Sequence, residues 1–251
     1  MDLLYRALDI LEYVCINEGA SADEVSDALG IPKSSVYRLL NALRERDYIR
    51  HTSPNSFEAG PRLLMLQGIT ARQNRLLQVA RPHLKRLARR TGQTAHLAVQ
   101  TANSLSYIDT IIAEQGISIQ PSPSSPLHCT SLGKVLLAFL PQPQRDEAIS
   151  HLTLERRTAN TITTNEALVA DLAQVRDRGY AFDNEEFQLG VRCIGAPVRG
   201  AAGDVVAAAS ISGLAAGMTS SALPTLIDAV CGIAREISAE LGYRESSRPG
   251  N

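Results

Sequence analysis

The chain has 251 residues, 44% hydrophobic and 20% charged, which is enough apolar material for a sizeable core and excludes a disordered or fibrous protein. At roughly 150 residues per domain the length allows one or two domains. The 25 basic and 26 acidic residues sum to a net charge of -1, an average that argues against a polycation coating nucleic acid or membrane.

The average conceals a segregation. Residues 1–30 carry seven acids and one base, Arg6, whereas residues 31–62 carry six bases (Lys33, Arg38, Arg44, Arg46, Arg50, Arg62) and three acids. From 59 to 108 there is no acid and there are eight bases, and residues 109–251 hold 11 bases and 16 acids. A basic block therefore lies between acidic flanks. No apolar stretch approaches the roughly 18–20 residues that span a bilayer, and Met1-Asp2 is not a signal-peptide start, so a cytoplasmic protein is expected. The four cysteines (Cys15, Cys129, Cys193, Cys231) lack CxxC spacing. Reduced thiols are expected, with no metal site and no cofactor.

Leu4, Ala7, Leu8, Leu11 and Val14 recur at helical spacing, and Gly19 ends that run. Ser21 with Glu24 three residues on has capping-box spacing and opens a short second helix closed by Gly30. A third helix from Lys33 or Ser34 puts Val36, Leu39, Leu40 and Leu43 on one face and Ser34, Arg38, Asn41 and Glu45 on the other, with Ser35, Tyr37 and Ala42 on the shoulders. Two extended pieces follow, 48–51 and 56–59, around the turn formers Ser53-Pro54-Asn55. That order is a winged helix-turn-helix, although any small interaction module with three helices and a hairpin gives the same pattern.

Helical spacing resumes over 61–91, with Pro82 marking a boundary or a new helix start. Strands are expected at 94–101, 105–112 and near 117–120. A Pro/Ser-rich loop at 121–126 leads to a helix at 132–140, and a further helix lies near 165–178. Strands at 180–183, 191–198 and 205–212 precede a terminal helix over 223–241. Without strict βαβ alternation, this predicts a multidomain α+β protein whose C-terminal domain has one antiparallel sheet.

The third helix suits the DNA major groove. Arg38 can pair bidentately with guanine and Asn41 with adenine, while Lys33, Ser34, Ser35, Tyr37 and Arg44 supply groups for phosphates and base edges. The positive charge concentrated here favours that reading over an ordinary solvated face.

The run Ile31-Pro32-Lys33-Ser34-Ser35-Val36-Tyr37-Arg38-Leu39-Leu40-Asn41-Ala42-Leu43, with 6–12 ahead of it, resembles the DNA-binding domain of the IclR family of bacterial transcriptional regulators. The resemblance continues through Thr91-Gly92-Gln93-Thr94-Ala95, Pro126-Leu127-His128-Cys129-Thr130-Ser131-Leu132-Gly133-Lys134, 179–186, 190–198 and 205–213. It implies a winged helix-turn-helix over 1–60, a dimerising helical linker over 61–91, a GAF-like effector domain over 92–245 and a disordered tail at 246–251. It also implies double-stranded operator DNA, a small organic acid effector and a homodimer or dimer of dimers as partners. The sequence departs from the family pattern at Phe57-Glu58-Ala59-Gly60 in the second wing strand and at Leu214–Thr219, which lacks the usual proline and basic residue.

In the C-terminal half, Ser210 and Ser212 alternate onto one face of an apolar strand, Cys193 and Gly195 share a face of its neighbour, and Asp183 ends another strand. Thr130 or Ser131 can cap the helix at Leu132, whose free amides favour an anion. Such convergence suits a small ligand with hydroxyl and carboxylate groups. A capped turn, a buried thiol and satisfied hydroxyls are the plainer account of the same residues. The resemblance implies effector contacts at Asp183, Cys193, Ser210, Ser212 and the backbone near Leu132 and Gly133.

An alternative is a stand-alone sensor or thiol enzyme with a protein-binding N-terminal module. Catalysis is not expected, because His128 and Cys129 point to opposite faces of an extended segment and Glu185 and Glu186 likewise diverge. The acid-free stretch is expected to pair with the acidic first helix of its own or its partner subunit, or to touch flanking DNA phosphates.

Overall fold

A computed structural model describes residues 2–66, 75–101, 104–113 and 125–244. The strand expected at 117–120, most of the loop expected at 121–126, Arg72 and the 246–251 tail lie outside the described residues. The chain divides into two compact units, Met1–Arg75 and Leu76–Asn251.

The first unit contains α1 (Asp2–Ile16), α2 (Ala22–Leu29), α3 (Lys33–Glu45), β1 (Ile49–Ser53) and β2 (Ser56–Ala59). Its core is the set of apolar positions read from the helical period, Ile10, Val14, Val25, Val36 and Leu40, closed by Ile49 and Phe57. Each boundary has a local cause. Ser21 and Glu24 form the capping box that starts α2, and Gly30 ends it in the left-handed conformation at φ 65°. The two wing strands are antiparallel, and β2 is tied back to the loop before α2 through the Phe57 amide on the Ala20 carbonyl at 2.9 Å. Gly60 passes so close to the 47–49 backbone that a Cβ there would lie 2.2 Å from the Asp47 carbonyl oxygen. Phe57 is buried in the core, so the departure from the family pattern in this strand keeps an inward aromatic. Residues 61–66 are helical and largely exposed.

The second unit opens with α4 (Arg75–Thr91), followed by β3 (Thr94–Thr101), β4 (Ser104–Ile111), α5 (Ser131–Ala138), α6 (Gln142–His151), α7 (Asn165–Arg178), β5 (Ala181–Asn184), β6 (Val191–Arg199), β7 (Val205–Leu214) and α8 (Leu223–Glu240). One sequence expectation is corrected here: Pro82 lies inside α4 rather than at a boundary. Its ring is exposed, and the buried stripe Ala80, Leu84, Leu87 and Ala88 carries the helix through the missing N–H by packing on the core. A second omission is α6, which sequence patterning did not reveal.

The sheet is antiparallel throughout, in the order β4-β3-β7-β6-β5. Alternation sends Leu97, Ile194, Ala196, Ala209 and Ile211 to one face, where α4 and α8 pack. Ala98, Ala181 and Ala208 go to the other, beneath α5 and α7. Ser210 and Ser212 alternate with that first set, so the period of two that buries the core also turns their hydroxyls toward α5.

Candidate functional site

In the first unit, α3 buries Val36, Leu39 and Leu40 and leaves Lys33, Ser34, Tyr37, Arg38, Asn41 and Arg44 exposed, with Ser35 half-buried at the shoulder. Lys33 is tethered to α2 by an ion pair with Asp23 at 2.8 Å, both side chains being more than half exposed. On the wing, Arg50 pairs with Glu58 at 2.6 Å, and His51 packs against Phe57 with ring centroids 4.4 Å apart. The helix thus offers two basic residues, Arg38 and Arg44, with Asn41 between them on a solvent face.

In the second unit, the strand register gathers the polar residues into rows. Asp183 lies opposite Cys193, Cys193 opposite Ser212, and Ser212 opposite Thr94. The next row on the same face runs Gly195, Ser210, His96, Thr110. Above them sits the start of α5. Gly195 allows this: a Cβ there would meet the Ser131 backbone at 3.0 Å. Thr130 caps the helix through its Oγ1, which accepts from the Gly133 amide at 3.2 Å. The amides of Ser131 and Leu132, at the first two helical positions, then have no partner within the helix.

Between the rows and α5 lies a cavity of about 50 Å³, lined in part by Leu132, Asp183, Cys193, Ser210 and Ser212. Gly133, also expected there, is not in the lining. Its amide is taken by Thr130, and a Cβ would lie 2.3 Å from the Leu127 carbonyl oxygen, so its role is to let α5 pack against residue 127. Sequence reading missed His96, Tyr107, Ser125, Phe187, Gln188 and Val191. The only signal for any of them was the alternation of Thr94 and His96, which puts the imidazole on the face of the two serines.

The electrostatics follow from burial. Asp183 Oδ1 accepts from the Glu186 amide at 2.8 Å, yet burial pushes its carboxyl up to about 7, the Glu186 charge adding to the rise. Burial holds His96 neutral, lowering it to about 4, with Nδ1 3.1 Å from Thr110 Oγ1 and the ring edge-on to Tyr107. Cys193 is raised by burial and by Asp183, and it receives a hydrogen bond from Ser212 Oγ at 3.1 Å. Behind the pocket, Lys134 is fully buried within α5. Its Nζ donates to the Phe182 carbonyl and to Glu186 Oε1, each at 2.7 Å, and lies 3.1 Å from Asp171. That ammonium fixes the turn after Asp183.

Thiol chemistry finds no support in this geometry. Burial pushes Cys129 up to about 12, and His128, lowered by burial, turns its Nε2 to the Glu155 carbonyl.

These features match those of known proteins across the chain. Residues 3–53 match the IclR helix-turn-helix domain and residues 69–239 match the C-terminal domain of bacterial IclR transcriptional regulators. The chain belongs to the IclR family. It is similar to the HTH-type transcriptional regulator BhcR of Paracoccus denitrificans, with 34% identity over 97% of this chain and 88% of that protein. To the HTH-type transcriptional repressor AllR of Escherichia coli the identity is 29%, over 96% and 90%. The crystal structure of Thermotoga maritima IclR superimposes with a TM-score of 0.76 at 32% identity, covering 97% of this chain and all of the other. An IclR homologue from Microbacterium hydrocarbonoxydans complexed with 4-hydroxybenzoate gives 0.82 at 25% identity, covering 95% and 98%.

Like its IclR relatives, the protein is a helix-turn-helix transcriptional regulator rather than an enzyme. In this IclR-family chain the two acids at 185–186 diverge as expected from adjacent residues, Glu185 toward Arg192 at 3.4 Å and Glu186 toward Lys134.

Proposed function

We propose that this IclR-family regulator is a cytoplasmic, ligand-responsive repressor of a catabolic operon, controlled by a small organic or sugar acid. Residues 1–60 read the operator, 61–91 relay and 92–245 sense. The observation that carries the sensing half is the convergence of Asp183, Cys193, Ser210 and Ser212 with the open first turn of α5 around one cavity. Its small volume of about 50 Å³ favours a compact acid over a large aromatic one. The effector carboxylate lies at the Ser131 and Leu132 amides, and a carbonyl or hydroxyl faces the serines and Asp183.

Lys33, Ser34, Ser35, Tyr37, Arg38, Asn41 and Arg44 contact operator DNA. Exposed Leu3, Leu4, Tyr5 and Leu8 on α1, with Leu64 and Met65 beyond the wing, support a homodimer or a dimer of dimers whose partner covers them. Two readers per dimer set the half-site spacing. The repressor sign draws on AllR, and ligand control draws on the 4-hydroxybenzoate complex of the related regulator. No helix among the described residues is long and apolar enough to cross a membrane.

The test is a fluorescence anisotropy titration on duplex from upstream of the protein's own gene, with and without a panel of two- to six-carbon organic and sugar acids. Salt-sensitive, sequence-preferring binding that one acid weakens is expected. Binding without sequence preference overturns the regulator of this locus, and indifference to every acid in both binding and thermal shift overturns the effector assignment.

A further inference from the structure

We propose that the groove between α7, β6 and α8 is a second ligand site, for a small metabolite bearing one or more phosphate groups. The groove has a volume of about 440 Å³ and receives Arg176 and Arg178 from α7, Arg199 from β6 and Arg235 from α8, beside Phe139 and Tyr243. No carboxylate among the described residues lines it. Of the acids on the same helices, Asp171 stands outside the lining between Lys134 at 3.1 Å and Arg178 at 4.0 Å, Glu236 is held by Arg86 and His83, and Glu240 by His83 at 2.7 Å, while Asp177 and Asp228 also lie outside the lining.

Two of the guanidiniums are preset. Arg199 Nη1 donates to the Gly203 carbonyl at 2.8 Å, and its guanidinium lies 4.9 Å from the Phe139 ring and 5.7 Å from that of Tyr243. Arg178 Nε donates to the Tyr180 carbonyl at 2.7 Å, with its guanidinium over the Tyr180 ring. Arg176 and Arg235 are exposed and can turn to a ligand.

Basic residues in the last turn of α7 also complement that helix's dipole. The same account covers neither Arg199 on a strand nor Arg235 in the body of α8, so the convergence of all four needs another cause. Planar guanidiniums bind phosphate bidentately, and a concave site within the ~300–1,000 Å³ range of small-molecule pockets favours a compact polyanion over a duplex. The groove shares no lining residue with the effector pocket, but strand β6 serves both, with Cys193 in one and Pro197 four residues on in the other. At about 3.3 Å per residue that is about 13 Å, and occupancy of either site is coupled to the other through this strand to the same extent in both directions.

Isothermal titration of the full chain with inorganic phosphate, inorganic pyrophosphate and ADP, at constant ionic strength, tests the site. Saturable binding of pyrophosphate or ADP with a Kd below about 1 mM is expected, weakened about tenfold or more in R176Q and in R235Q and unchanged in S210A. Tighter ADP than pyrophosphate identifies an organic phosphate, and the reverse order a simple diphosphate. Heats no different from those of chloride, undiminished affinity in both arginine variants, or loss of binding in S210A overturns the proposal. It is equally overturned if R176Q and R235Q weaken duplex binding that pyrophosphate fails to displace.

Discussion

Ser212 Oγ donates to Cys193 Sγ at 3.1 Å across the β6–β7 pair, and Asp183 stands opposite the same cysteine on β5. Three adjacent strands thus contribute one polar side chain each to a single row, and the row is internally bonded. An effector that enters must exchange those bonds for its own. Ser212→Ala is expected to change stability by about 1 kcal/mol, the net worth of an ordinary hydrogen bond, while removing the effector-induced rise in melting temperature. A variant that keeps the full thermal shift takes Ser212 out of the site.

The pH dependence of stability carries opposing slopes. Asp183 holds its proton up to about 7 when folded and releases it near 4 when unfolded, so its contribution to stability falls by up to about 1.4 kcal/mol per pH unit as pH rises through that window. Glu186, also raised by burial, acts in the same direction. His96 is lowered to about 4 and His128 is lowered too, so the unfolded chain takes up protons first as pH falls and stability rises with pH up to about 6.5. The carboxyl and imidazole slopes offset one another in the native protein. Asp183→Asn removes one of them, and its stability relative to the native chain should climb between pH 4 and 7 in denaturant titrations. A constant difference across that range contradicts the buried protonated carboxyl.

How far the sequence foretold this site depends on which interactions are local. The capping box at Ser21 and Glu24, the stripe of α3 and the alternation that pairs Ser210 with Ser212 are set by neighbours within four residues, and all were legible. Lys134 was not. A lysine in an apolar helix reads as solvated, and only the tertiary approach of Asp171 and Glu186 makes its burial tolerable. Tyr107 and Phe187 reach the pocket from a neighbouring strand and a loop whose positions depend on topology. The helix α6 escaped notice because few of its residues are buried, chiefly Ala148 and Ile149, and so it has no apolar stripe to read.

Lys134 carries its own prediction. Lys134→Met preserves most of the volume but leaves the buried Glu186 without its cation and Asp171 with only Arg178 at 4.0 Å, and breaking such a buried pair costs roughly 3–5 kcal/mol. Chemical denaturation should show that loss, and adding Glu186→Gln should restore part of it by removing one unpaired charge. A single variant within about 1 kcal/mol of the native chain means that water or movement of α7 relieves the site.

On the reader helix, Arg38 and Lys33 should behave differently. Arg38→Ala is expected to weaken operator binding by about 1–3 kcal/mol and to relax preference at one base position. Lys33 must first exchange Asp23 for a phosphate, which costs little because both partners of this pair are exposed and screened by solvent. Lys33→Ala should therefore lower the slope of log affinity against log salt by about one, with sequence preference retained. Equal losses on operator and random duplex for Arg38→Ala would remove it from base recognition.

The acid-free stretch from 59 to 108 is a further source of positive charge, and two of its arginines have partners within the sensing unit. Arg81 lies 3.8 Å from Asp109, and Arg86 pairs with Glu236 beside His83. The Asp109 side chain is buried, so Arg81 screens a carboxylate that water reaches poorly. Both guanidiniums are about half exposed, but charge already paired with a carboxylate of the same unit releases few counterions when DNA binds. Arg81→Ala and Arg86→Ala together should therefore leave the salt slope of operator binding unchanged while lowering stability by about 1 kcal/mol. A slope reduced by about two in anisotropy titrations between 50 and 200 mM salt would instead put both guanidiniums on phosphates.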